Sequence, residues 1–190
     1  MVDKDILRVY DNSSSSGRVD LICKHYSTFL GLIESFTEGI VYMIEDAIDL
    51  SVRRENGDLG VRIQVGDGCG NPTLRKAFSN ITIRDDVMKC DFSDGLLEEI
   101  EDGELYVKTA FVLKRMRRDY KLLKSQIDRL PEQDKQLFLE FMQKNKSIKE
   151  ISSEFQMQLE TAHQKVRRIK NDMKRTITIY TEGEIKDLWK

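Results

Sequence analysis

Apolar side chains between Tyr106 and Leu130 recur at steps of three and four residues, and this spacing constrains the fold more than any other feature of the chain. Such spacing puts the apolar side chains on one face of an α-helix and nearly forms a heptad seam. Pro131 cannot continue that helix, because it lacks a backbone N–H and disfavours helical geometry in the preceding residue. The pattern predicts one long connecting helix over residues 104–130, with the basic segment KRMRRDYK (114–121) on its other faces.

The N-terminal half carries a second stretch of helical spacing, from Arg18 to about Arg54. It predicts either one long helix or two helices separated by a break near residues 37–39. The polar, turn-forming cluster DNSSSSGR precedes this stretch over residues 11–18. Residues 1–10 are therefore expected to form a short strand or a loosely attached arm.

A small β element is predicted in the middle of the chain. The segment VRIQV alternates apolar and polar residues over positions 61–65, as a half-buried strand does, and the pattern allows a second strand over residues 81–84. The loop GDGCGNPT (66–73) matches neither Gly-rich phosphate-binding pattern, because it lacks both the G-x-G-x-x-G spacing and a Gly-Lys-Ser/Thr ending. We therefore expect no nucleotide cofactor.

Residues that commonly carry chemistry are few and scattered. Cys23, Cys69 and Cys90 are odd in number and lack C-x-x-C spacing, so we expect reduced thiols and neither a disulfide framework nor a zinc site. The two histidines, His25 and His163, lie far apart in the chain. No enzyme activity, catalytic residue, metal or cofactor is expected. Without a run of roughly 20 apolar residues, the chain is also expected to be cytoplasmic and to make no membrane contact.

Charge divides the chain into two halves. Residues 1–103 hold 11 Lys and Arg against 20 Asp and Glu, a net charge of −9, whereas residues 104–190 hold 20 against 13, a net charge of +7. An acidic half joined to a basic half indicates a polyanion-binding region attached to a region that does not bind polyanions. Solvation of two unrelated surfaces is the alternative explanation.

The sequence after the long helix predicts further short helices. Pro131 suits the first position of a new helix, with Glu132 and Asp134 in the first turn, where the helix dipole favours carboxylates. Ser147 and Glu150 then form an S-x-x-E capping box, which predicts that a short helix starts directly after Ser147.

The segment QMQ (156–158) predicts a turn, and residues 159–175 predict a second helix with six basic and two acidic side chains, a local charge of +4. An apolar seam would hold this helix on its neighbours, which leaves polar side chains free to reach base edges and phosphates in a DNA groove. The seam consists of Ala162, Val166, Ile169 and Met173. The residues expected to contact DNA are Gln158, Thr161, His163, Gln164, Lys165, Arg167, Arg168 and Lys170. An ordinary helical hairpin with a solvated basic face remains the alternative.

The stretch LPEQDKQLFLEFMQKNKSIKEISSEFQMQLETAHQKVRRIKNDMK (130–174) resembles region four of bacterial sigma factors. The resemblance rests on the opening Leu-Pro-Glu, on the KEI of the first helix-turn-helix element, and on Thr161 at the start of a basic recognition helix. It implies binding to double-stranded DNA. Gln156 stands where the family usually has a turn glycine, at a cost of about 1 kcal/mol if it is left-handed, and Ala162 replaces a usual β-branched residue.

A wider resemblance links GDLGVRIQVGDGCGNPTLRKAF (57–78) to phage late-transcription regulators of the ArpU and RinA type, which also carry a long helix and a sigma-like helix-turn-helix. It implies a DNA-binding regulator encoded by a phage or mobile element. Asn71 replaces the acidic residue that this family has before Pro-Thr.

Two partners are open for the apolar seam of the long helix. It can pack on the N-terminal half of its own chain, or residues 106–130 can pair with a second copy to form a homodimer. A symmetric dimer would present two DNA-reading modules to half-sites about one helical turn apart.

The sequence therefore predicts a mainly α protein: an N-terminal helical domain with a small β element, a long connecting helix, and a C-terminal helix-turn-helix similar to sigma region four. The predicted boundaries are 1–103 for the acidic N-terminal domain, 104–130 for the connecting helix, 131–175 for the DNA-binding domain and 176–190 for a C-terminal tail. The expected function is sequence-specific, sigma-like transcription regulation on double-stranded DNA at the nucleoid, with RNA polymerase as a further possible partner. The alternatives are a DNA-packaging or recombination accessory protein, and an RNA polymerase-binding adaptor without DNA affinity.

Overall fold

The computed structural model describes residues 5–55, 82–93, 95, 97–98, 100–144 and 146–182. Within these residues all regular secondary structure is helical, which confirms the mainly α fold class. The strand predicted over residues 61–65 and the glycine-rich loop after it lie outside the described residues. The helices are α1 (Ile6–Asp11), α2 (Ser15–Lys24), α3 (Phe29–Glu55), α4 (82–89), α5 (Gly103–Asp128), α6 (Glu132–Gln143), α7 (Ile148–Glu154) and α8 (Leu159–Glu182).

Two segments expected to be extended are helical instead. The N-terminal arm contains α1, where Ile6 and Tyr10, four residues apart, are both buried. Residues 82–84, where a strand was allowed, belong to α4, and Ile83 and Val87 are likewise buried four residues apart. Alternation of apolar and polar residues over only three or four positions does not distinguish a strand from a helical turn. In both segments, the burial of two apolar residues four positions apart fits a helix.

The break between α2 and α3 lies at residues 25–28 and not near residues 37–39. The backbone N–H and the hydroxyl of Thr28 both turn back to the carbonyl oxygen of His25, at 2.9 and 3.2 Å. Thr37 instead donates its hydroxyl to the carbonyl oxygen of Ile33 at 2.7 Å, inside α3. Thr37 therefore lies inside a continuous helix, with its hydroxyl hydrogen-bonded one turn back along the same helix.

The connecting helix predicted over residues 104–130 is α5, which ends at Asp128. Pro131 has an extended backbone (φ −52°, ψ 142°) and is the N-cap residue of α6. The sequence predicted it one position later, as the first residue of the helix. Glu132 and Asp134 occupy the first turn of α6, as predicted. The carboxylates therefore lie where the N-terminal end of the helix dipole favours negative charge.

The chain divides into two compact units, and the division falls within α3 and within α5. Unit 1 contains residues 1–32 and 115–190, and unit 2 contains residues 33–114. These limits differ from the predicted domain boundaries at residues 103 and 130. Each of the two long helices contributes to both units. Because the apolar spacing of a helix continues unchanged across the division, the sequence pattern does not show where one unit ends.

Unit 2 is built from most of α3, from α4 and from the first part of α5. Its buried side chains include Ile44 and Leu113, neither of which has any exposed surface. Arg84 of α4 donates to Glu34 of α3 at 3.1 Å and also pairs with Glu38. Gly103 begins α5 where a β-carbon would lie 2.1 Å from the carbonyl oxygen of Leu97, so a larger residue would displace the loop.

Unit 1 brings the N-terminal helices together with the end of α5 and with α6, α7 and α8. An aromatic cluster fills one part of it: the ring centroid of Phe29 lies 6.1 Å from that of Tyr10 and 5.8 Å from that of Tyr120. The α5 side chains Met116 and Leu123 have no exposed surface in the single chain. The apolar seam of α5 is thus buried at these two positions.

A buried polar network ties α1, α2, α5 and α8 to one another. The carboxylate of Asp119 accepts hydrogen bonds from the Tyr10 hydroxyl and from Arg18 Nε, each at 2.8 Å. Arg18 also donates to Ser15 Oγ at 3.0 Å, and Ser15 Oγ lies 2.9 Å from Thr181 Oγ1 near the end of α8. Burial, followed by the neighbouring Asp119 charge, raises the pKa of Tyr10 far above its usual range.

None of the helices in the described part of the chain is both long and apolar enough to cross a membrane. Cys23 is buried and Cys90 is partly buried, and neither of these two described cysteines forms a disulfide bond. Burial raises the pKa of the Cys23 thiol to about 11. Cys69 lies outside the described residues.

Candidate nucleic-acid interface

The start of α7 has the capping box that the sequence predicts. Ser147 Oγ accepts a hydrogen bond from the Glu150 backbone N–H at 3.3 Å, and the Glu150 carboxylate accepts one from the Ser147 backbone N–H at 2.7 Å. The bonds from the Ser147 backbone and then from its side chain hold the pKa of Glu150 below its usual value. Two backbone donors at the start of a short helix are thereby satisfied.

Four residues, 155–158, join α7 to α8. Gln156 has a φ of 51°, which is a left-handed conformation. Met157 is half-buried, and its backbone N–H donates to the carbonyl oxygen of Ser152 at 2.9 Å. The chain thus turns between the two helices without a glycine, at a cost of about 1 kcal/mol for the left-handed glutamine.

The helix after the turn, α8, ends at Glu182, seven residues beyond the predicted end at Arg175. Residues 176–180, which the sequence analysis assigned to a C-terminal tail, include four β-branched residues. Burial of Ile177 continues the helical step, and packing outweighs the weaker backbone preference. The buried stripe of α8 comprises the four predicted residues and one more: Ala162, Val166, Ile169, Met173 and Ile177.

The opposite side of α8 carries a row of exposed polar side chains, which we call the α8 stripe. Its members step by three, four, three and four residues, so they lie in one line along the helix. The α8 stripe consists of Thr161, Gln164, Arg168, Asn171 and Arg175, all of them exposed. Asn171 and Arg175 were not among the predicted DNA contacts, although continuing the steps of four, three and four residues from Gln164 reaches both.

The eight residues predicted to contact DNA fall into two groups. Six are exposed: Gln158, Thr161, His163, Gln164, Arg167 and Arg168. The other two, Lys165 and Lys170, are only partly exposed, and each is paired with a carboxylate of a neighbouring helix. The role of all eight in DNA binding stays a prediction.

On one flank of α8, Lys165 faces the first turn of α6. Its ammonium nitrogen lies 2.5 Å from Asp134 Oδ1, and the two side chains are 26% and 15% exposed. Arg168 Nη2 lies 4.0 Å from the other carboxylate oxygen of Asp134, while the Arg168 side chain is 66% exposed. Asp134 therefore neutralises Lys165 and lies within reach of Arg168.

On the other flank, Asp20 of α2 receives two lysines of α8. Lys170 Nζ and Lys174 Nζ each lie 2.6 Å from one oxygen of the Asp20 carboxylate. Partial burial pushes the pKa of Asp20 up, but the hydrogen bonds from Lys170 and Lys174 outweigh it, and the pKa lies below its usual value. The carboxylate is thus charged at neutral pH.

These pairs change the electrostatic character of the helix. The segment 159–175 has a net charge of +4, and Asp20 and Asp134 reduce the local charge to +2. Among the described residues, Arg175 in the α8 stripe and Arg167 beside it have no carboxylate partner, and both are exposed. Among the described residues no group of three His, Cys, Asp or Glu side chains is placed to hold a metal ion.

The arrangement suits a polyanion better than a small molecule. A straight row of amide, hydroxyl and guanidinium groups stands clear of the protein along α8, and the stripe extends about 21 Å at 1.5 Å per residue. Comparison of the chain with protein-family models, with curated proteins and with solved structures finds no match.

Proposed function

We propose that α6, α7 and α8 form a helix-turn-helix module and that the α8 stripe enters the major groove of double-stranded DNA. The observation that supports this most is the division of α8 into two opposite rows: five buried apolar residues on one side and five exposed polar residues on the other. A groove-reading helix must be held from behind and must present hydrogen-bonding groups in front.

The residue types of the α8 stripe suit different parts of a duplex. Gln164 and Asn171 have amide groups that can bond to an adenine edge in two places, and Arg168 can bond to a guanine edge in the same way. Thr161 lies at the N-terminal end of α8, the end that usually contacts bases in this motif. Arg175, about 21 Å further along, is better placed for a phosphate than for a base.

The biological role that we propose is sequence-specific regulation of transcription. Support comes from the resemblance of residues 130–174 to sigma region four and from the basic charge of the C-terminal half. A sigma-like regulator of this kind would also contact RNA polymerase. A packaging or recombination protein could use the same module, and an adaptor that has lost DNA affinity would not bind a duplex.

Dimerisation through the long helix is not part of the proposal. The seam residues Met116 and Leu123 are fully buried in the single chain, and Ile127 is 1% exposed. A second copy would find little free apolar area along this part of α5.

Selection of bound duplexes from a random library tests sequence-specific binding. We expect the wild-type protein to enrich a defined motif, because amide and guanidinium groups of the α8 stripe discriminate between bases by about 1–3 kcal/mol per good pair. Gln164→Ala should relax the preference at one or two positions of that motif. Gln133→Ala, an exposed change in α6 outside the stripe, should leave the motif unchanged.

Failure to enrich any motif would contradict sequence-specific reading, and failure to retain any duplex would favour the adaptor. Transcription from a template that carries the selected motif then separates a regulator from an architectural protein. The regulator should change the amount of transcript, and Arg168→Ala should reduce that change.

A further inference from the structure

Four of the six basic residues between Leu159 and Arg175 lie within 4.0 Å of a carboxylate, and three of them, all lysines, are held at 2.5–2.6 Å. Lys165 pairs with Asp134 of α6, whereas Lys170 and Lys174 share Asp20 of α2. All three lysines lie on the flanks of α8, between the α8 stripe and the buried stripe. Each is 22–29% exposed, against 66% for Arg168 in the α8 stripe.

We infer that Asp134 and Asp20 set the specificity of the proposed DNA interface by holding Lys165, Lys170 and Lys174 away from the phosphate backbone. The two acids are positioning residues, because they act on DNA binding through the lysines and do not contact DNA. The inference rests on the proposed function. It extends that function because it assigns roles to residues outside the α8 stripe.

The Lys165–Asp134 pair is built to persist when DNA approaches. Its two side chains are partly buried, and salt screens such a pair much less than an exposed one. Asp134 also lies in the first turn of α6, where the helix dipole favours its negative charge. A phosphate group would have to displace this carboxylate before it could bind Lys165.

The Asp20 site works by a different arrangement. Asp20 is 43% exposed, but it receives two ammonium groups at 2.6 Å, one on each oxygen. Lys170 and Lys174 are four residues apart and lie on one flank of α8, so one carboxylate can hold both. DNA would have to break two charge-assisted hydrogen bonds to recruit these lysines.

Restricting the phosphate contacts has a direct consequence for recognition. Contacts to phosphates are independent of sequence and supply nearly all non-specific affinity. If three lysines are withheld, a larger share of the binding free energy comes from the α8 stripe, which reads bases. The protein then loses affinity for arbitrary DNA and keeps its discrimination between sites.

The salt dependence of binding to a duplex of arbitrary sequence measures the effect. Each phosphate contact adds about 0.9 to the slope of log K against log salt. We expect Asp134→Asn to steepen the wild-type slope by about 0.9, because Lys165 is released. Asp20→Asn should steepen it by up to about 1.8, because two lysines are released.

Matched variants separate release of a lysine from simple loss of a negative charge. Glu132→Gln removes a carboxylate from the same turn of α6, where it bonds to Gln136 and to no residue of α8, and should leave the slope unchanged. Asp134→Glu should restore the wild-type slope. Lys165→Met alone should have no effect on the slope, whereas added to Asp134→Asn it should return the slope to the wild-type value.

Urea unfolding of each variant confirms that it is folded under the assay conditions. If the wild type binds and both Asn variants keep its slope, the inference is overturned and the proposed function stands. If only the Asn variants bind, the inference is supported and the wild-type function is contradicted. If neither the wild type nor the Asn variants bind DNA, both proposals fail.

Discussion

Arg18 Nε donates a hydrogen bond to Asp119 Oδ2 at 2.8 Å, and the two residues are 101 positions apart in the sequence. The Asp119 side chain is 1% exposed and that of Arg18 is 10% exposed, so the pair is shielded from water. It joins α2 to the second half of α5 inside unit 1. The N-terminal helices therefore belong with the basic C-terminal helices, across the charge division that the sequence shows.

Asp119→Asn should lower the free energy of unfolding by about 3 kcal/mol, because it leaves a buried guanidinium group without its counter-charge. Urea denaturation measures the loss. Asp85→Asn, which removes an exposed carboxylate paired with Lys89, should cost less than about 0.5 kcal/mol. Equal, small losses in the two variants would show that the buried pair does not stabilise unit 1.

Gln156→Gly should raise the free energy of unfolding by about 1 kcal/mol, because glycine adopts the left-handed conformation at this turn without a steric cost. Ser153→Gly, at an exposed helical position in α7, should have the opposite effect and cost about 0.5–1 kcal/mol. Thermal or urea unfolding checks both changes. Destabilisation by Gln156→Gly would mean that the turn between α7 and α8 has another geometry.

Ile177→Ala should cost about 3 kcal/mol, because Ile177 is 1% exposed and its truncation leaves a cavity. Ile179→Ala makes the same chemical change at a less buried position two residues later, and it should cost much less. Urea denaturation of the two variants tests whether α8 continues past Arg175. A larger loss at Ile179 would contradict the helical register.

Asp20 makes the stability of unit 1 depend on pH. Its pKa in the folded state lies below its usual value. Between these two pKa values the unfolded chain binds more protons than the folded chain, so stability rises with pH. The contribution is present above about pH 4, the usual range of an aspartate, and is lost as the pH falls through the lower pKa of the folded state. Below pH 4, the free energy of unfolding should therefore fall less steeply with decreasing pH for Asp20→Asn than for the wild type. An equal pH dependence in the two proteins would contradict the pairing of Asp20 with the lysines.

Helical periodicity was a reliable guide to some elements and not to others. The run of apolar residues at helical spacing from Tyr106 to Leu130 predicted α5, and the capping box predicted the start of α7, because both are local patterns. The break between α2 and α3 was misplaced, since a threonine hydroxyl can satisfy either a turn or a helix. The end of α8 was misplaced because burial of Ile177 depends on its neighbours in unit 1.

The candidate interface was predicted in part for the same reason. Composition and spacing identified the exposed groups of α8 from Thr161 to Arg168, because the buried face follows from local periodicity. Lys165 and Lys170 were included among the predicted DNA contacts, since their partners Asp134 and Asp20 lie 31 and 150 residues away in the sequence. Only the packing of α2 and α6 on α8 brings those carboxylates to the lysines.

The salt dependence of DNA binding by single arginine variants tests the central proposal, that the α8 stripe contacts DNA. Arg168→Ala and Arg175→Ala remove guanidinium groups of the stripe, and Arg8→Ala removes an exposed arginine of α1. We expect a log–log slope that is about 0.9 shallower for Arg175→Ala, which loses a phosphate contact, and a wild-type slope for Arg8→Ala. Arg168→Ala should mainly weaken the preference for one base pair. Identical slopes in all three variants, or no binding by the wild type at low salt, would contradict the proposal.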